Sequence, residues 1–145
     1  MRGVVSRIFA PCASGIGIVL LAGTALAASD PAAAPPFVVP VSPDGVQRTT
    51  VILDSYSYQP NHLVVEAGKP VELTLTSVTT ITPHNFIIKD LAPGLSVEQD
   101  VSAGKTATVK FTPPQRGFYT IYCDKRLWPM PSHRDKGMEG ALEVR

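Results

Sequence analysis

The sequence predicts an all-β protein that folds as a β-sandwich. Apolar and polar side chains alternate over residues 71–76 and again over residues 106–111, which is the pattern of strands with one buried and one exposed face. Turn-forming groups rich in Pro and Gly recur at close, regular intervals between such stretches, as is typical of sandwiches. No stretch of helical length carries an apolar repeat of about three to four residues, and residues 125–137 have room only for a short turn. Two packed sheets therefore explain the pattern better than a helical bundle does.

Length and charge narrow the class of protein further. The chain has 145 residues, of which 44% are hydrophobic and 17% are charged, and this composition fits one globular domain. Its 13 basic and 12 acidic side chains give a formal net charge of +1, which provides no electrostatic attraction to the phosphates of nucleic acid. With two Cys and no internal repeat, the chain has neither a disulfide framework nor a collagen-like pattern. We therefore expect a single domain with no nucleic-acid partner.

The first element, residues 1–27, is predicted to be a cleavable signal peptide. Arg2 and Arg7 precede an apolar run over residues 16–26, which ends in the small-residue pattern Ala25-Leu26-Ala27. An uncleaved membrane anchor is the alternative, but glycines interrupt the run, and it is shorter than the roughly 20 apolar residues that a membrane span needs. No Cys stands directly after the run, so a lipid anchor is not expected. The mature protein is thus expected to be periplasmic or secreted, without stable membrane insertion.

The second element, residues 28–47, is predicted to be a Pro- and Ala-rich tether. It shows no apolar periodicity, and Pro35-Pro36 favours extended, polyproline-like backbone. An additional edge strand is the alternative, because the Phe-Val-Val sequence at residues 37–39 suits a sheet. The globular domain is accordingly predicted to span residues 48–145.

Two strands of this domain are explicit in the sequence. Residues 71, 73 and 75 are apolar and alternate with polar residues, and residues 107, 109 and 111 repeat this arrangement. Because successive side chains of a strand point to opposite faces, both apolar sets are expected to face the interior. Turn-forming sequences bound them, as in Ala67-Gly68-Lys69-Pro70 and Pro113-Pro114-Gln115.

Cys123 requires an explanation in an exported protein. Cleavage after residue 27 removes Cys12, so the mature chain has one cysteine and cannot form an internal disulfide. A free thiol in an oxidising compartment is prone to oxidation or crosslinking unless burial or a metal protects it. Cys123 is therefore either a small buried hydrophobe or a metal ligand.

Cys123 belongs to an ordered set that also contains two histidines and a methionine. Pro83-His84-Asn85-Phe86 comes first, a Gly-aromatic segment over residues 117–122 leads into Cys123, and His133-x4-Met138-x-Gly140 follows. Together with Tyr58-Gln59-Pro60, Leu63-Val64-Val65 and Ala67-Gly68, this order of motifs resembles the cupredoxins, the small blue-copper proteins. The resemblance covers essentially everything after the tether, and it implies a Greek-key β-sandwich that binds one copper ion. It further implies that the copper ligands are His84, Cys123, His133 and Met138.

The chemistry of this ligand set suits copper. A thiolate, two imidazoles and a distant thioether serve both oxidation states, because soft sulfur favours Cu(I) and imidazole accepts Cu(II). Cys123 shares the strand parity of Tyr119 and Ile121, so its thiol is expected to point into the sandwich near the end of a strand. On ligand chemistry alone, a zinc site stays open as an alternative. A dinuclear copper centre is disfavoured because the mature chain has no second Cys.

Asn85 and His62 are assigned different roles. In cupredoxins, an asparagine after the first histidine ties the ligand loops together, and the resemblance implies this role for Asn85; a turn-capping role is the alternative. His62 begins a predicted strand and has no evident partner, so we expect it to be a surface residue.

The segment between Cys123 and His133 departs from the family. Nine residues separate these two predicted ligands, whereas the familiar electron carriers of the family have only a few, and Pro129 and Pro131 limit its freedom. The segment is a rigid rim, an apolar docking patch beside the metal, or the source of another thioether through Met130. The sequence leaves these three alternatives open.

The leading hypothesis is an exported mononuclear copper protein that transfers single electrons between redox partner proteins. The alternative is a periplasmic copper-binding protein that sequesters copper or delivers it to an acceptor protein. The thioethers of Met130 and Met138, which favour Cu(I), support this alternative. An enzyme is not expected, because catalysis needs an open coordination position and an acid or base; a candidate carboxylate is Glu139, which follows Met138.

Overall fold

The computed structural model describes residues 35–89 and 94–145. Over these residues the chain forms ten strands and no helix. A helix of the length and apolar character needed to cross a membrane is accordingly not found among them. The predicted signal peptide, residues 1–27, and the first part of the predicted tether, residues 28–34, lie outside the described residues.

The strands form two sheets that pack face to face. In chain order they are β1 (Phe37–Val38), β2 (Gln47–Asp54), β3 (Ser57–Gln59), β4 (His62–Val65), β5 (Val71–Ser77), β6 (His84–Lys89), β7 (Ser96–Val101), β8 (Thr106–Phe111), β9 (Gly117–Tyr122) and β10 (Glu139–Val144). One sheet has six strands in the order β1-β4-β10-β9-β6-β7, and the other has four in the order β3-β2-β5-β8. This arrangement confirms the predicted all-β sandwich.

Most strands that are neighbours in space are distant in the chain. In the smaller sheet, β2 pairs in parallel with β5, and β5 pairs antiparallel with β8. In the larger sheet, β10 lies between β4, to which it is parallel, and β9, to which it is antiparallel. The antiparallel pairing of β6 with β9 places the start of β6 beside the end of β9. This register brings two of the predicted ligand segments together.

The core lies between the sheets and follows the predicted alternation. On β5, Val71, Leu73 and Leu75 are buried, while the polar residues between them are partly exposed. On β8, Val109 is buried, and Ala107 and Phe111 pack against the core at its periphery. The inward faces predicted for both strands are thus confirmed. The first five residues of β6 are all buried, because this strand lies inside the larger sheet.

The tether predicted over residues 28–47 requires a correction at its C-terminal end. Phe37 and Val38 form β1, which pairs in parallel with β4. The side chain of Val39 is buried, and its N–H donates a hydrogen bond of 2.9 Å to the carbonyl oxygen of Val64. The buried Gln47 already belongs to β2. The domain therefore includes residue 37, and the edge-strand alternative applies here, because β4 offers a free edge to a short apolar segment.

Gly140 on β10 occupies a place where two backbones nearly touch. A Cβ atom at this position would lie 2.5 Å from the carbonyl oxygen of Asn61, which accepts a hydrogen bond from the N–H of Ala141 at 2.7 Å. We expect Gly140→Ala to lower the free energy of unfolding by about 1–3 kcal/mol, because the added methyl group forces the two backbones apart. Urea unfolding measures this loss. A variant with the wild-type free energy of unfolding would contradict the close approach.

Candidate metal centre

Two histidines and a cysteine from three separate segments meet in the interior. His84 begins β6, Cys123 directly follows β9, and His133 precedes β10. Their potential ligand atoms all lie within 4.8 Å of one another, and all three residues are buried. The Cys123 Sγ and His133 Nδ1 atoms are 3.4 Å apart, and the centroids of the two imidazole rings are 5.0 Å apart. The structure thus gathers three of the predicted ligands into one cluster.

Strand parity accounts for the orientation of Cys123. Tyr119 and Ile121 on β9 are buried, whereas Phe118 and Thr120, which alternate with them along the strand, are exposed. Cys123 continues the buried set one step beyond the strand and has no exposed surface. The sandwich core therefore holds its thiol in place from one side.

A tight turn between His133 and Met138 explains their spacing. The carbonyl oxygen of His133 accepts hydrogen bonds from the N–H groups of Lys136 at 3.1 Å and Met138 at 2.9 Å. Gly137 has a φ of 93°, which glycine adopts without a steric penalty. The carbonyl oxygen of Met138 in turn accepts the N–H of Cys123 at 3.2 Å. The turn therefore fixes the backbone of Met138 next to Cys123, and the Met138 side chain is fully buried.

Asn85 connects the segments that carry His84 and Cys123. Its backbone N–H points at the Cys123 sulfur, 3.4 Å away. Its side-chain amide donates to the Asp124 carboxylate at 2.7 Å, and its side-chain oxygen accepts the Asp124 N–H at 3.1 Å. The hydroxyl of the buried Tyr58 donates a short bond of 2.6 Å to the Asn85 carbonyl oxygen. These bonds lock the start of β6 to the residue that follows Cys123.

Burial keeps the three clustered groups uncharged in the metal-free protein. Burial, followed by the neighbouring His133, lowers the pKa of His84 to about 4. Burial also lowers the pKa of His133, with Lys136 adding to the effect, and burial raises the pKa of the Cys123 thiol. At neutral pH the site therefore contains two neutral imidazoles and a protonated thiol.

Both ring nitrogens of His84 are buried, and a metal ion could bind the one that carries a lone pair. In the part of the chain that the structure describes, neither nitrogen has a hydrogen-bond partner. An unpaired buried polar atom costs free energy, and a bound metal ion would supply a partner for one lone pair. A thiol and two imidazoles are donors that copper accepts in both oxidation states. The residues present therefore fit a copper ion.

The comparison with known families agrees with this geometry. A family model described as a cupredoxin-like domain matches residues 17–138. The chain belongs to the cupredoxin-like family. Membership confirms the resemblance found in the motifs, and together with the His-Cys-His cluster it assigns one copper ion to this cupredoxin as its cofactor.

Three solved structures are similar to this cupredoxin in fold. The metal-binding domain of the Cu(I)-exporting P-type ATPase CopA from Streptococcus pneumoniae D39, with Cu(I), is 17% identical at a TM-score of 0.56, covering 77% of this chain and 99% of that chain. Reduced auracyanin from Roseiflexus castenholzii is 18% identical at a TM-score of 0.55, and the match covers 68% of this chain and 96% of that chain. Auracyanin A, a "blue" copper protein from Chloroflexus aurantiacus, is 18% identical at a TM-score of 0.50, and the match covers 68% of this chain and 99% of that chain. At these identities the likeness shows the cupredoxin fold. A search of curated proteins finds none that matches the chain.

The long segment between Cys123 and His133 borders a cavity of about 440 Å³. Met130 lines this cavity together with His133, and the side chain of Met130 is 45% exposed. Leu127 and Trp128 are exposed further, at 71% and 81%. The N–H of His133 donates to the carbonyl oxygen of Lys125 at 2.9 Å. The segment is thus anchored at its base and presents apolar side chains to solvent at its tip.

His62 differs from the expectation of an unpaired surface residue. It is half-buried, and its Nε2 atom lies 3.1 Å from a carboxylate oxygen of Glu143 on β10. The parallel pairing of β4 with β10 brings these residues together although they are 81 positions apart. Pairing across a sheet was not visible in the sequence because no local pattern specifies it.

Two contacts of Tyr56, one with His133 and one with Lys136, were not predictable from the sequence. The ring of Tyr56 lies against the His133 ring with centroids 5.0 Å apart, and Lys136 bonds to the Tyr56 hydroxyl at 2.9 Å across 80 positions of sequence. Tyr56 stands between β2 and β3, far from the ligand motifs in the chain. No local sequence pattern indicates that Tyr56 reaches the site, because its position there follows from the packing of the two sheets.

Copper uptake at pH 7 is expected to release about one proton per ion, because the thiol must lose its proton whereas both imidazoles are already neutral. The apparent affinity should therefore fall by about tenfold for each pH unit below neutrality. The fall should steepen at lower pH as His133 takes up a proton, and again near pH 4, where His84 does so. Titration calorimetry in buffers of different ionisation enthalpy counts the protons. Uptake without proton release would contradict a protonated thiol in the metal-free site.

Proposed function

We propose that this cupredoxin is an exported carrier of single electrons between redox partner proteins, with copper held by His84, Cys123 and His133 and with Met138 as a weak axial ligand. The observation that carries the proposal is the buried cluster, whose ligand atoms lie within 4.8 Å of one another and come from three separate segments of the fold. A site that the fold has already assembled needs little rearrangement when its charge changes.

Copper in such a site supplies a one-electron couple between Cu(II) and Cu(I). The chain's own contribution is to fix the ligands and to exclude water. The backbone N–H of Asn85, 3.4 Å from the Cys123 sulfur, would stabilise the thiolate form. Burial of His84 and Cys123 keeps solvent from both groups, which supports electron transfer rather than reaction with a substrate.

The surroundings of Glu139 support a carrier rather than an enzyme. Its carboxylate forms an ion pair with Arg134, so the charge that an acid or base would use is already engaged. Glu139 also begins β10 and is exposed, whereas the clustered ligands are buried. We therefore propose no catalytic role for it.

We further propose that the partner docks on an apolar face formed by Ile81, Leu127 and Met130, which border the cavity beside His133. Ile81 and Leu127 are 87% and 71% exposed, and exposed apolar groups around a functional residue are typical of interaction sites. Arg126 and Lys136 line the same cavity, and neither forms an ion pair within the described residues. A partner surface that combines apolar side chains with carboxylates fits this face.

A small anion tests the charge of this face. Electron exchange with hexacyanoferrate should slow in Arg126→Ala, because the variant loses a cation from the cavity that His133 also lines. Lys110→Ala is the matched control, since Lys110 lies on β8 in an ion pair with Glu72. Equal rates in the two variants would contradict docking at the apolar face.

Copper delivery is the second candidate function, and Met130 is the observation that favours it. Its partly exposed thioether lines the cavity that His133 also lines, where a second soft ligand could receive Cu(I). The likeness in fold to a metal-binding domain of a Cu(I)-exporting ATPase supports this candidate as well. The acceptor would then be a copper-binding protein.

Two methionine variants distinguish the carrier from the delivery protein. If the protein is a carrier, electron self-exchange is fast, Met138→Leu shifts the reduction potential with copper still bound, and Met130→Leu leaves Cu(I) affinity unchanged. If it delivers copper, self-exchange is slow and Met130→Leu weakens Cu(I) retention. Paired measurements of Cu(I) affinity and self-exchange on the wild type and both variants decide the question. Slow exchange with Met130-dependent affinity would overturn the carrier proposal.

Export is proposed from the sequence of residues 1–27, which has the charged start, apolar run and small-residue end of a cleavable signal. A periplasmic or secreted location would follow. The intact mass of exported protein tests it, since cleavage should leave a chain that begins near Ala28 and carries no lipid. A mass that retains residues 1–27 would contradict the proposal.

A further inference from the structure

Tyr56 has an unfavourable backbone conformation. It stands in the turn between β2 and β3 with a φ of 61°, and among the described residues it is the one non-glycine residue with positive φ. This left-handed region costs free energy for a residue with a bulky side chain, whereas Gly enters it freely and Asn or Asp with less strain. Strain of this kind persists where surrounding contacts compensate for it. The contacts of the Tyr56 side chain are therefore of interest.

Tyr56 packs partly against the core, and its ring and hydroxyl also contact the turn that carries His133. The edge-on ring of Tyr56 lies 5.0 Å from the His133 ring, at an interplanar angle of 72°. Lys136, three residues after His133, places its ammonium group 4.3 Å from the centroid of the Tyr56 ring and donates a hydrogen bond of 2.9 Å to the Tyr56 hydroxyl. Tyr56 thus joins a turn of the smaller sheet to the ligand turn that precedes β10.

His133 needs such support more than His84 does. His84 begins a strand whose first five residues are buried, so the sheet fixes its backbone. His133 follows a nine-residue segment outside any strand and lines an open cavity. Its ring Nδ1 faces the Cys123 sulfur at 3.4 Å, and a small rotation of the ring would move that nitrogen away from the sulfur. The Tyr56 ring, whose centroid lies 5.0 Å from that of the His133 ring, stands against the imidazole and restrains such a rotation.

We propose that Tyr56 is a positioning residue for the His133 imidazole and that Lys136 holds Tyr56 in place. The assignment rests on the proposed function, because it gives His133 the role of a copper ligand. Residues that orient metal ligands commonly change metal affinity by about 10- to 100-fold when they are replaced. The backbone strain at residue 56 is then the cost of placing this ring against the ligand.

Tyr56→Gly is the test variant, because it removes the ring and relieves the unfavourable φ in one substitution. Cu(II) affinity should fall by about tenfold, and the hyperfine splitting in the electron paramagnetic resonance spectrum should change. In the metal-free protein, NMR relaxation should show a more mobile His133 ring and an unchanged His84 ring. A folded Tyr56→Gly protein with wild-type affinity, spectrum and His133 mobility would overturn the proposal.

Two further variants keep the test decisive. Phe118→Leu is the matched control, because the Phe118 ring makes the same kind of edge contact with His62, at 6.5 Å, away from the cluster; it should leave all three readouts unchanged. Tyr56→Asn also removes the ring and tolerates the positive φ with less strain, so it decides the matter if Tyr56→Gly does not fold. Greater mobility of His133 in Tyr56→Asn supports the proposal, and wild-type mobility overturns it.

Failure of the proposed function is recognised separately. If the wild-type protein binds no copper, or binds it no differently from Cys123→Ser, the proposed function fails. The mobility of the His133 ring in metal-free protein still tests the positioning role of Tyr56, because that measurement needs no copper.

Discussion

Cys123→Ser is expected to abolish the intense visible absorption that one equivalent of Cu(II) produces with the wild-type protein. The band requires charge transfer from a thiolate to copper, and Cys123 is the one thiol among the described residues. A serine hydroxyl in the same buried position offers neither soft sulfur nor an accessible anion. The variant should therefore be colourless, and its copper affinity should fall by several orders of magnitude.

The measurement is an absorption titration with Cu(II), repeated with Zn(II), which gives no such band because it has no redox chemistry. His84→Ala and His133→Ala should weaken the band severely, since each removes one imidazole of the cluster. Met130→Leu is the matched control and should keep the full band. A Cys123→Ser protein that retains the wild-type absorption would show that the proposed site is wrong.

Asn85→Ala is expected to lower the free energy of unfolding by about 2–3 kcal/mol. The side chain is buried and makes two hydrogen bonds with Asp124, one of them to a carboxylate oxygen at 2.7 Å. Removing one partner of a charged hydrogen bond costs more than removing a neutral one, and the Asp124 N–H loses its acceptor as well. Because these bonds hold the residue after Cys123, copper affinity should also fall by about tenfold.

Gln99→Ala on β7 provides the comparison for this variant. Gln99 donates to the carbonyl oxygen of Asp100 at 2.8 Å in an exposed position, so its loss should change the free energy of unfolding by less than about 0.5 kcal/mol. Urea unfolding and copper titration of both variants give the two quantities. Equal losses in Asn85→Ala and Gln99→Ala would mean that Asn85 does not tie the ligand segments together.

The sequence predicts those features of this cupredoxin that depend on local periodicity. The alternation at residues 71–76 and 106–111 is enough for β5 and β8, and the parity shared by Tyr119, Ile121 and Cys123 is enough to direct the thiol inward. The individual motifs are local as well, namely Pro83-His84-Asn85-Phe86, the Gly-aromatic segment that leads into Cys123, and His133-x4-Met138. In each case a pattern within a few residues carries the signal, and only the order of the motifs extends along the chain.

Features that depend on which strands become neighbours escaped prediction. β1 pairs with β4 at the end of the larger sheet, where the sequence offered an edge strand only as the alternative to a tether. His62 meets Glu143, and Tyr56 meets Lys136, across 81 and 80 positions of the chain. Sequence spacing carries no information on these contacts, because they follow from the order of strands within each sheet and from the packing of the sheets.

The pairing of β1 with β4 affects whether a second copy of this protein can add a strand to the edge of the larger sheet. An uncovered β4 would present backbone donors and acceptors beside Leu63, Val64 and Val65, and such an edge invites a strand from a second chain. β1 fills that edge with only two residues of its own, and Pro36 and Pro40 bracket it. Because proline has no N–H to donate, the outer side of β1 is a poor template for further strands. A short β1 flanked by two prolines is therefore expected to leave this end of the larger sheet a poor edge for strands of a second chain.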